Sequence, residues 1–344
     1  MRKYLFKKID KPFKACLHVH TTVSDGNYTP EEIKKLYMDK GFSIVAYTDH
    51  EIMVPQTHLT DKDFLALTAV EFSVNENYEG KNFDYPKTYH LNFYSPETDR
   101  EYIPIFSERF VWREQSRKLI TDEMRKADYE RYYDVERIND MIAKANAEGF
   151  LSTYNHPVWS LQTKDDYIGL KGLWGVEVYN HGGYVGGYLE TAVPCDELLR
   201  QGVPVVPCCT DDSHSIDQCF GGWVMINAKS LTYEDVFEAM KNKDVYSSTG
   251  PDIDEIYIED NHLYVKTSPV KSIFLTAERR FARFLNAHDG ESLSEAKFEI
   301  GSYLENTKKY GSEEDKSYLR VTIVDENGKI AYSRAYFVNE ILAK

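Results

Sequence analysis

Hydrophobic and polar positions alternate along this chain in two rhythms, and the change between them falls near residue 250. Up to that point short apolar runs are separated by longer stretches with a helical period. "ACLHVH" (15–20), "FSIVAYTDH" (42–50), "FLALTAVEFS" (64–73) and "TYHLNFYS" (88–95) have the length and β-branched or aromatic content of buried strands. After the first of them, Thr29-Pro30-Glu31-Glu32 predicts a capped helix start with proline in the first turn, and Gly41 a helix stop. Two helical segments are expected at about 104–127 and 134–148, the second with Val135, Ile138, Ile142 and Ala145 on one face. The runs "GFLSTYNHP", "LWGVEVYN" and "GVPVVPCCTDDSH" follow, and Thr232 with Asp235 opens a last helix near 232–242. Alternation of this kind predicts an α/β fold on a parallel sheet, open or closed into a barrel.

From 251 onward the period becomes two. "DEIYIED", "NHLYVKT" and "SIFLTAE" alternate, Leu319, Val321 and Ile323 share one face, and "DENGK" carries an Asn-Gly hairpin signal. The expected organisation is therefore residues 1–250 as one unit, with a helical insertion about 100–148, and 251–344 as a small β-sandwich-like domain.

Composition narrows the partners. A chain of 344 residues holds a barrel of about 250 residues and an appendage. Its net charge of −15 disfavours long nucleic acid, whose binding needs a basic surface. No uncharged apolar run is long enough for a membrane span, and "MRKYLFKKIDKPFK" lacks a signal-peptide pattern, so a cytoplasmic location is expected. The five cysteines are odd in number and lack paired spacing, which predicts buried thiols. Oligomeric state leaves no trace in the sequence.

The chemistry lies where the apolar runs stop. His18 and His20 end the first, Asp49 and His50 the second, and Glu71 closes the apolar part of the third. His90 lies within the fourth, His156 ends the next, and Asp212 and His214 follow "VPVVPCC". In a β/α protein, strand ends gather on one rim, and residues at i and i+2 of a strand point to the same side. His18 with His20, and Asp212 with His214, can thus each grip one ion or two adjacent ones; imidazole suits zinc, iron or manganese, and carboxylates can bridge two ions. A single such histidine reads as an ordinary side chain. Six of the ten histidines at these positions do not, and the pattern predicts a metal site.

The motifs "HVHTTVSDG", "YTDH", "AVEFS", "YHLNFYS", "YNHP" and "TDDSH", in this order over roughly residues 14–250, resemble the polymerase and histidinol phosphatase (PHP) superfamily. "VEVYN", "YSSTGP" and the C-terminal β region are most similar to its CehA/McbA-like branch. The resemblance implies a distorted seven-stranded, TIM-like β/α barrel with three divalent metal ions (zinc, manganese or iron) at its rim. It also implies the ligands: His18, His20, Asp25, His50, Glu71, His90, His156, Asp212 and His214. Glu71 would bridge two ions; His18, His20 and Asp212 would complete one, His90 and His156 the second, and Asp25, His50 and His214 would hold the third. The D-x-H spacing of the family selects Asp212 over its neighbour Asp211.

Three such ions would outweigh three carboxylates and leave a cationic pocket suited to a small phosphate ester, a nucleotide or sugar phosphate. The expected reaction is in-line attack of a metal-bridging hydroxide on phosphorus. Carboxyl ester, carbamate or amide hydrolysis is the alternative, and a non-catalytic metal-binding regulatory module a second one. Among other rim residues, Asn155, Asn180 and His181 lie at or next to strand ends, and His181 is a candidate to protonate the leaving group or bind phosphate. Asp49 is a candidate to orient a ligand imidazole, and His58 reads as exposed. Arg109, Arg113 and Arg117, four apart, would stripe one helix face, with Glu114 and Lys118 making it a salt-bridged, solvated one.

Overall fold

The computed structural model describes residues 2–76, 86–310 and 316–343. After a first strand, β1 (Lys3–Lys7), come β2 (Phe13–Val19), β3 (Ile44–Tyr47), β4 (Leu65–Asn75), β5 (Thr88–Tyr94), β6 (Leu151–Tyr154), β7 (Gly175–Asn180) and β8 (Val206–Thr210). From β2 to β8 they are consecutive neighbours in one sheet. Pairs β2–β3, β3–β4, β6–β7 and β7–β8 are parallel. β5 departs from the expected parallel order, since it runs antiparallel to both β4 and β6. An antiparallel pair needs no crossover helix, whereas a parallel one needs a connection of about a dozen or more residues. Reversal brings the start of β5, rather than its end, level with the ends of the other strands: His90 pairs with Ser73, two residues past Glu71.

The last of these strands meets the first. Just beyond β8, Ser213 bridges in parallel to Val19; the Asp212 amide donates to the His18 carbonyl (2.9 Å) and the His20 amide to the Ser213 carbonyl (3.1 Å). Farther down, the free side of β2 is taken by β9 (Trp223–Ile226), which pairs with β10 (Val245–Ser248).

Helices cover these strands as their capping signals require. α1 (Pro30–Met38) starts at Thr29, whose side chain and that of Glu32 close a reciprocal capping box worth about 1 kcal/mol. It buries Ile33 and Tyr37, and Gly41 follows at φ +77°. The segment 104–127 is not the helix expected. It holds only the four-residue α2 (Glu114–Arg117) and two single 3₁₀ turns, because its apolar residues Ile103, Ile105, Phe106, Val111 and Ile120 do not repeat on one helical face. α3 (Val135–Ala147) forms where predicted and buries Ile138, Met141, Ile142 and Ala145. Short α4 (Lys164–Tyr167) and α5 (His181–Val185) precede α6 (Val193–Arg200), and α7 (Tyr233–Lys241) is capped by Thr232.

Beyond 251 lie β11 (Ile253–Glu259), β12 (His262–Val270), β13 (Ser272–Ala277), β14 (Ala282–Asn286), β15 (Leu293–Glu299), α8 (Gly301–Tyr310), β16 (Tyr318–Val324), β17 (Ile330–Ser333) and β18 (Tyr336–Phe337). One layer is the sheet β1-β11-β12-β15; β14, β13, β16 and β17 form the other and continue the large sheet through β10. Ile256, Leu263, Val265 and Phe298 of the first pack in one apolar cluster with Ile273, Leu275, Val321 and Ile323 of the second. The pairing of β1 with β11 brings the first strand of the chain into the sheet built after residue 251 and has no local signature in the sequence. All five cysteines are free and buried. No helix among the described residues is long and apolar enough to cross a membrane.

Candidate metal centre

The pleat of β2 sends His18 and His20 to the same side, both buried, with their Nε2 atoms 3.1 Å apart. The chain then turns tightly. Asp49 fixes the turn: Oδ1 accepts from the amides of Thr21 (2.8 Å) and Ser24 (3.1 Å) and from the Ser24 hydroxyl (2.8 Å), and Oδ2 from the Thr21 hydroxyl (2.9 Å). At Gly26 a Cβ atom would stand 2.3 Å from the His20 carbonyl oxygen, so the turn closes only over glycine. It returns Asp25 toward the imidazoles: Oδ1 lies 3.4 Å from His214 Nε2 and 3.8 Å from His20 Nδ1, and Oδ2 3.9 Å from His50 Nε2.

Two carboxylates hold the middle, Glu71 buried and Asp212 partly buried. Glu71 Oε1 lies 3.2 Å from His18 Nε2, 3.1 Å from His90 Nδ1 and 3.4 Å from His156 Nε2; Oε2 lies 3.3 Å from His20 Nε2 and 3.1 Å from His50 Nδ1. Asp212 Oδ1 lies 3.3 and 3.1 Å from the Nε2 atoms of His18 and His20 and 3.8 Å from His214 Nδ1, with Oδ2 3.7 Å from His156 Nε2. His156 and Asp212 have positive φ (26° and 52°), backbone that L-residues rarely adopt, and the two bends swing both side chains inward.

These side chains form four overlapping groups able to hold an ion: His18, His20, Glu71 and Asp212; His20, Asp25, His50 and His214; His50, Glu71 and His90; and His18, His156 and Glu177. The first contains one expected triad together with Glu71, and the second another with His20 added. The remaining expected pair divides differently. His90 groups with His50, and His156 with His18, although both imidazoles face the same oxygen of Glu71.

The donors fit divalent ions. Nitrogens and carboxylate oxygens converge, with Arg113 the arginine that reaches their edge, at Asp25, and such a donor set suits zinc, manganese or iron. Two buried atoms, Glu71 Oε2 and His20 Nδ1, have no hydrogen-bond partner among the described residues, an expensive arrangement unless a cation serves the site. The protonation pattern agrees. Burial alone would lower the pKa of His20, yet the Asp212 and Glu71 carboxylates push it up to about 10. His50 is driven down to about 3 by burial and by the charge on His20. Burial raises the carboxyl pKa values of Glu71 and Asp212, but the surrounding imidazoles, His18 foremost, hold both well below the ordinary range. Neighbouring imidazoles cannot all carry protons, and divalent ions can replace the protons they do carry.

Glu177, which the sequence reading did not single out, braces this cluster. Its Oε1 accepts from His18 Nδ1 (2.7 Å) and the Thr210 hydroxyl (2.6 Å), and its Oε2 from the His156 amide (3.0 Å) and Asn180 Nδ2 (2.9 Å). Four donors occupy it, so it orients ligands rather than competing with them. The signal was available: an acid inside "GVEVYN" must find partners when the strand is buried on both faces. Asn180 also donates to Asp212 Oδ2 (3.2 Å), and Asn155 Nδ2 to Glu71 Oε1 (2.8 Å). Asp211 faces the other way and accepts from the amides of Phe220, Gly221 and Gly222 and from the Tyr37 hydroxyl, which leaves the cluster to Asp212.

Other candidates lie apart. Asp49 makes no hydrogen bond to an imidazole; the described contacts bind it to the turn at 21–24, and the orienting contact belongs to Glu177. His181 belongs to none of the four groups; its Nδ1 meets the Tyr179 hydroxyl at 2.8 Å, and its ring centre lies 6.0 Å from those of both Tyr179 and Tyr184. His58 is on the surface against Glu31. The three arginines do not stripe a helix. Arg109 pairs with Asp128 and Glu130, and Arg117 donates to the Val111 carbonyl. Arg113 lies over Trp112 (4.1 Å) and 3.9 Å from Asp25 Oδ2. Trp112, beside His50, and Trp159, beside His90 and His156, stay 50% and 42% exposed, so accessible indoles flank the cluster at these three histidines.

No protein-family model and no curated protein matches the chain. Among solved structures, a Bacteroides vulgatus protein described as "a two-domain protein containing predicted PHP-like metal-dependent phosphoesterase" is similar at 13% identity and TM-score 0.44, over 97% of this chain and 98% of its own. The lesion-specific endonuclease EndoQ of Pyrococcus furiosus is similar at 16% identity and TM-score 0.39, over 67% and 56%. An amidohydrolase from Chromobacterium violaceum is similar at 15% identity and TM-score 0.35, over 59% and 88%. At TM-scores below 0.5 none of these likenesses carries an assignment, which has to come from the side chains.

Proposed function

We propose that the protein is a metal-dependent hydrolase of PHP type, CehA/McbA-like, that cleaves a small phosphate ester such as a nucleotide or sugar phosphate. The observation that carries this reading is the convergence of six imidazoles and three carboxylates, drawn from positions 18 to 214, on Glu71 and Asp212. In the same reading β2 to β8 make a distorted seven-stranded barrel, residues 1–250 the hydrolase unit and 251–344 a β unit.

The ligands would be His18, His20, Asp25, His50, Glu71, His90, His156, Asp212 and His214, holding three divalent ions. Such ions, when bound, supply Lewis-acid stabilisation and activate water as the nucleophile. The chain's own residues do the rest. Glu177 holds the Nδ1 side of His18 so that its Nε2 faces inward, and Asn180 and Asn155 fix the carboxylates of Asp212 and Glu71. Asp49 keeps the Asp25 turn shut. Arg113 adds a cation at the exposed side of Asp25, where an anionic ester would enter, and Trp112 and Trp159 offer flat surfaces to its organic part. His181 is the candidate proton donor outside the ligand set.

The test is hydrolysis of phosphate mono- and diesters beside aryl esters, carbamates and amides, with manganese, iron or zinc supplied. Phosphate release alone supports the reading. Activity confined to carboxyl or carbamoyl substrates transfers it to that chemistry, and metal-replete protein inert on every substrate leaves a binding module. His20→Ala and Asp212→Ala should lose metal and activity together.

A further inference from the structure

The protein is strongly acidic, yet five of its arginines gather at one place that shares no residue with the four ligand groups. A cavity of about 430 Å³ between α6 and the β13–β16 sheet is lined by Arg200, Arg279, Arg280 and Arg320. A second, of about 520 Å³, shares Arg279, Arg280 and Phe281 with it and adds Arg283. Each cavity has one carboxylate in its wall, and both are already engaged. Asp196 takes both its oxygens to Arg320 Nη2 (2.8 and 3.0 Å). Glu278 pairs with Arg279 Nε (3.5 Å) and accepts from the hydroxyls of Ser317 and Tyr303 and from the Tyr318 amide.

Positive charge is therefore left over. Arg320 is 5% exposed, and its Nε has no hydrogen-bond acceptor among the described residues. Arg200 gives its Nε to the Glu278 carbonyl (3.3 Å), and no described carboxylate pairs with it. Arg280 makes no ion pair or hydrogen bond among the described residues, although exposed arginines in a chain with excess acid readily find one. Small and polar side chains such as Thr276, Ala282 and Thr322 share the wall with the rings of Phe274, Tyr332 and Phe281; the Arg320 guanidinium lies 5.5 Å from the Tyr332 ring and that of Arg283 4.4 Å from Phe281. Guanidinium forks match phosphate oxygens in pairs, and flat apolar walls match a flat ring.

We propose that the paired cavities are a binding site for a small organic anion that joins a phosphate group to a planar ring, separate from the metal centre. Arg200 and Arg280 meet the phosphate, Arg320 supplies buried positive potential, and Phe274, Phe281 and Tyr332 take the ring. The site does not depend on the reaction proposed above, and its failure would leave that reading intact.

Calorimetric titration of the full-length protein, metal-loaded and again after chelation so that binding at the metal centre is subtracted, tests it. The probe is the methylene-phosphonate analogue of adenosine monophosphate, which has no ester bond to cleave, with adenosine as the uncharged control. Expected are saturable binding by the wild type, at least tenfold weaker binding by Arg200→Ala/Arg280→Ala with unchanged metal content, and no binding of adenosine. Arg280→Ala alone, a change at an exposed side chain, gives the same direction should the double variant fold poorly. Undiminished affinity in both variants, adenosine binding as tightly as the phosphonate, or no binding up to millimolar probe would overturn the proposal.

Discussion

His18 Nδ1 lies 2.7 Å from Glu177 Oε1, with both side chains wholly buried, and this contact decides which nitrogen of His18 faces Glu71 and Asp212. Glu177→Gln keeps the shape and removes the charge. Metal affinity should fall about 10- to 100-fold, as it does when such orienting acceptors are lost. Metal retained after dialysis against graded chelator measures it, and retention equal to wild type would exclude the orienting role.

Removing metal should destabilise the whole fold, since the centre ties β2, β3, β4, β5 and the segments after β6 and β8 together. At a free ion concentration 100 times Kd, binding contributes about 2.7 kcal/mol. Chelator-treated protein should therefore melt several degrees lower, and added manganese, zinc or iron should restore the melting temperature. An unchanged Tm on loading would contradict a metal centre of this kind.

Gly26→Ala would place a methyl group 2.3 Å from the His20 carbonyl oxygen. Relief by backbone movement should cost about 1–3 kcal/mol and displace Asp25 from His50 and His214. Elemental analysis should find less bound metal while far-UV circular dichroism stays that of wild type; full metal content would show the turn to be more tolerant than its geometry.

Beside the centre, Arg131 Nη1 pairs with Glu51 Oε2 at 2.6 Å, both side chains 1% exposed, and the guanidinium lies 4.4 Å from the rings of Phe72 and Phe110. Glu51→Gln leaves that charge uncompensated and should cost about 3–5 kcal/mol, whereas Glu51→Leu/Arg131→Met should recover most of the loss. Urea denaturation compares them, and additive losses in the double variant would argue against coupling of the pair.

Trp159 lies 4.9 Å from His156 and Trp112 6.2 Å from His50, ring centre to ring centre. Titration with a paramagnetic ion such as Mn²⁺ should quench tryptophan fluorescence, and Trp112→Phe/Trp159→Phe should abolish most of the quenching. Quenching undiminished in that variant would place the ions elsewhere.

The sequence by itself determined the inventory. Apolar runs of strand length, a reciprocal cap at Thr29 and Glu32, and period-two segments after 251 specify elements through local sterics and burial, and the structure has them. The imidazoles and carboxylates at the run ends could be read off too, because ionisable groups at a strand terminus are a local fact. Arrangement was not local. The reversal of β5, the pairing of β1 with β11 and the broken stretch at 104–127 depend on which surfaces remain to be covered once the sheet has formed. Tertiary structure alone decided that Glu177 braces His18 and that Asp49 serves a turn, and it supplied the donors that turn Asp211 away. A buried carboxylate takes whichever donors the fold brings within hydrogen-bond reach, and those donors lie as far as 174 residues away.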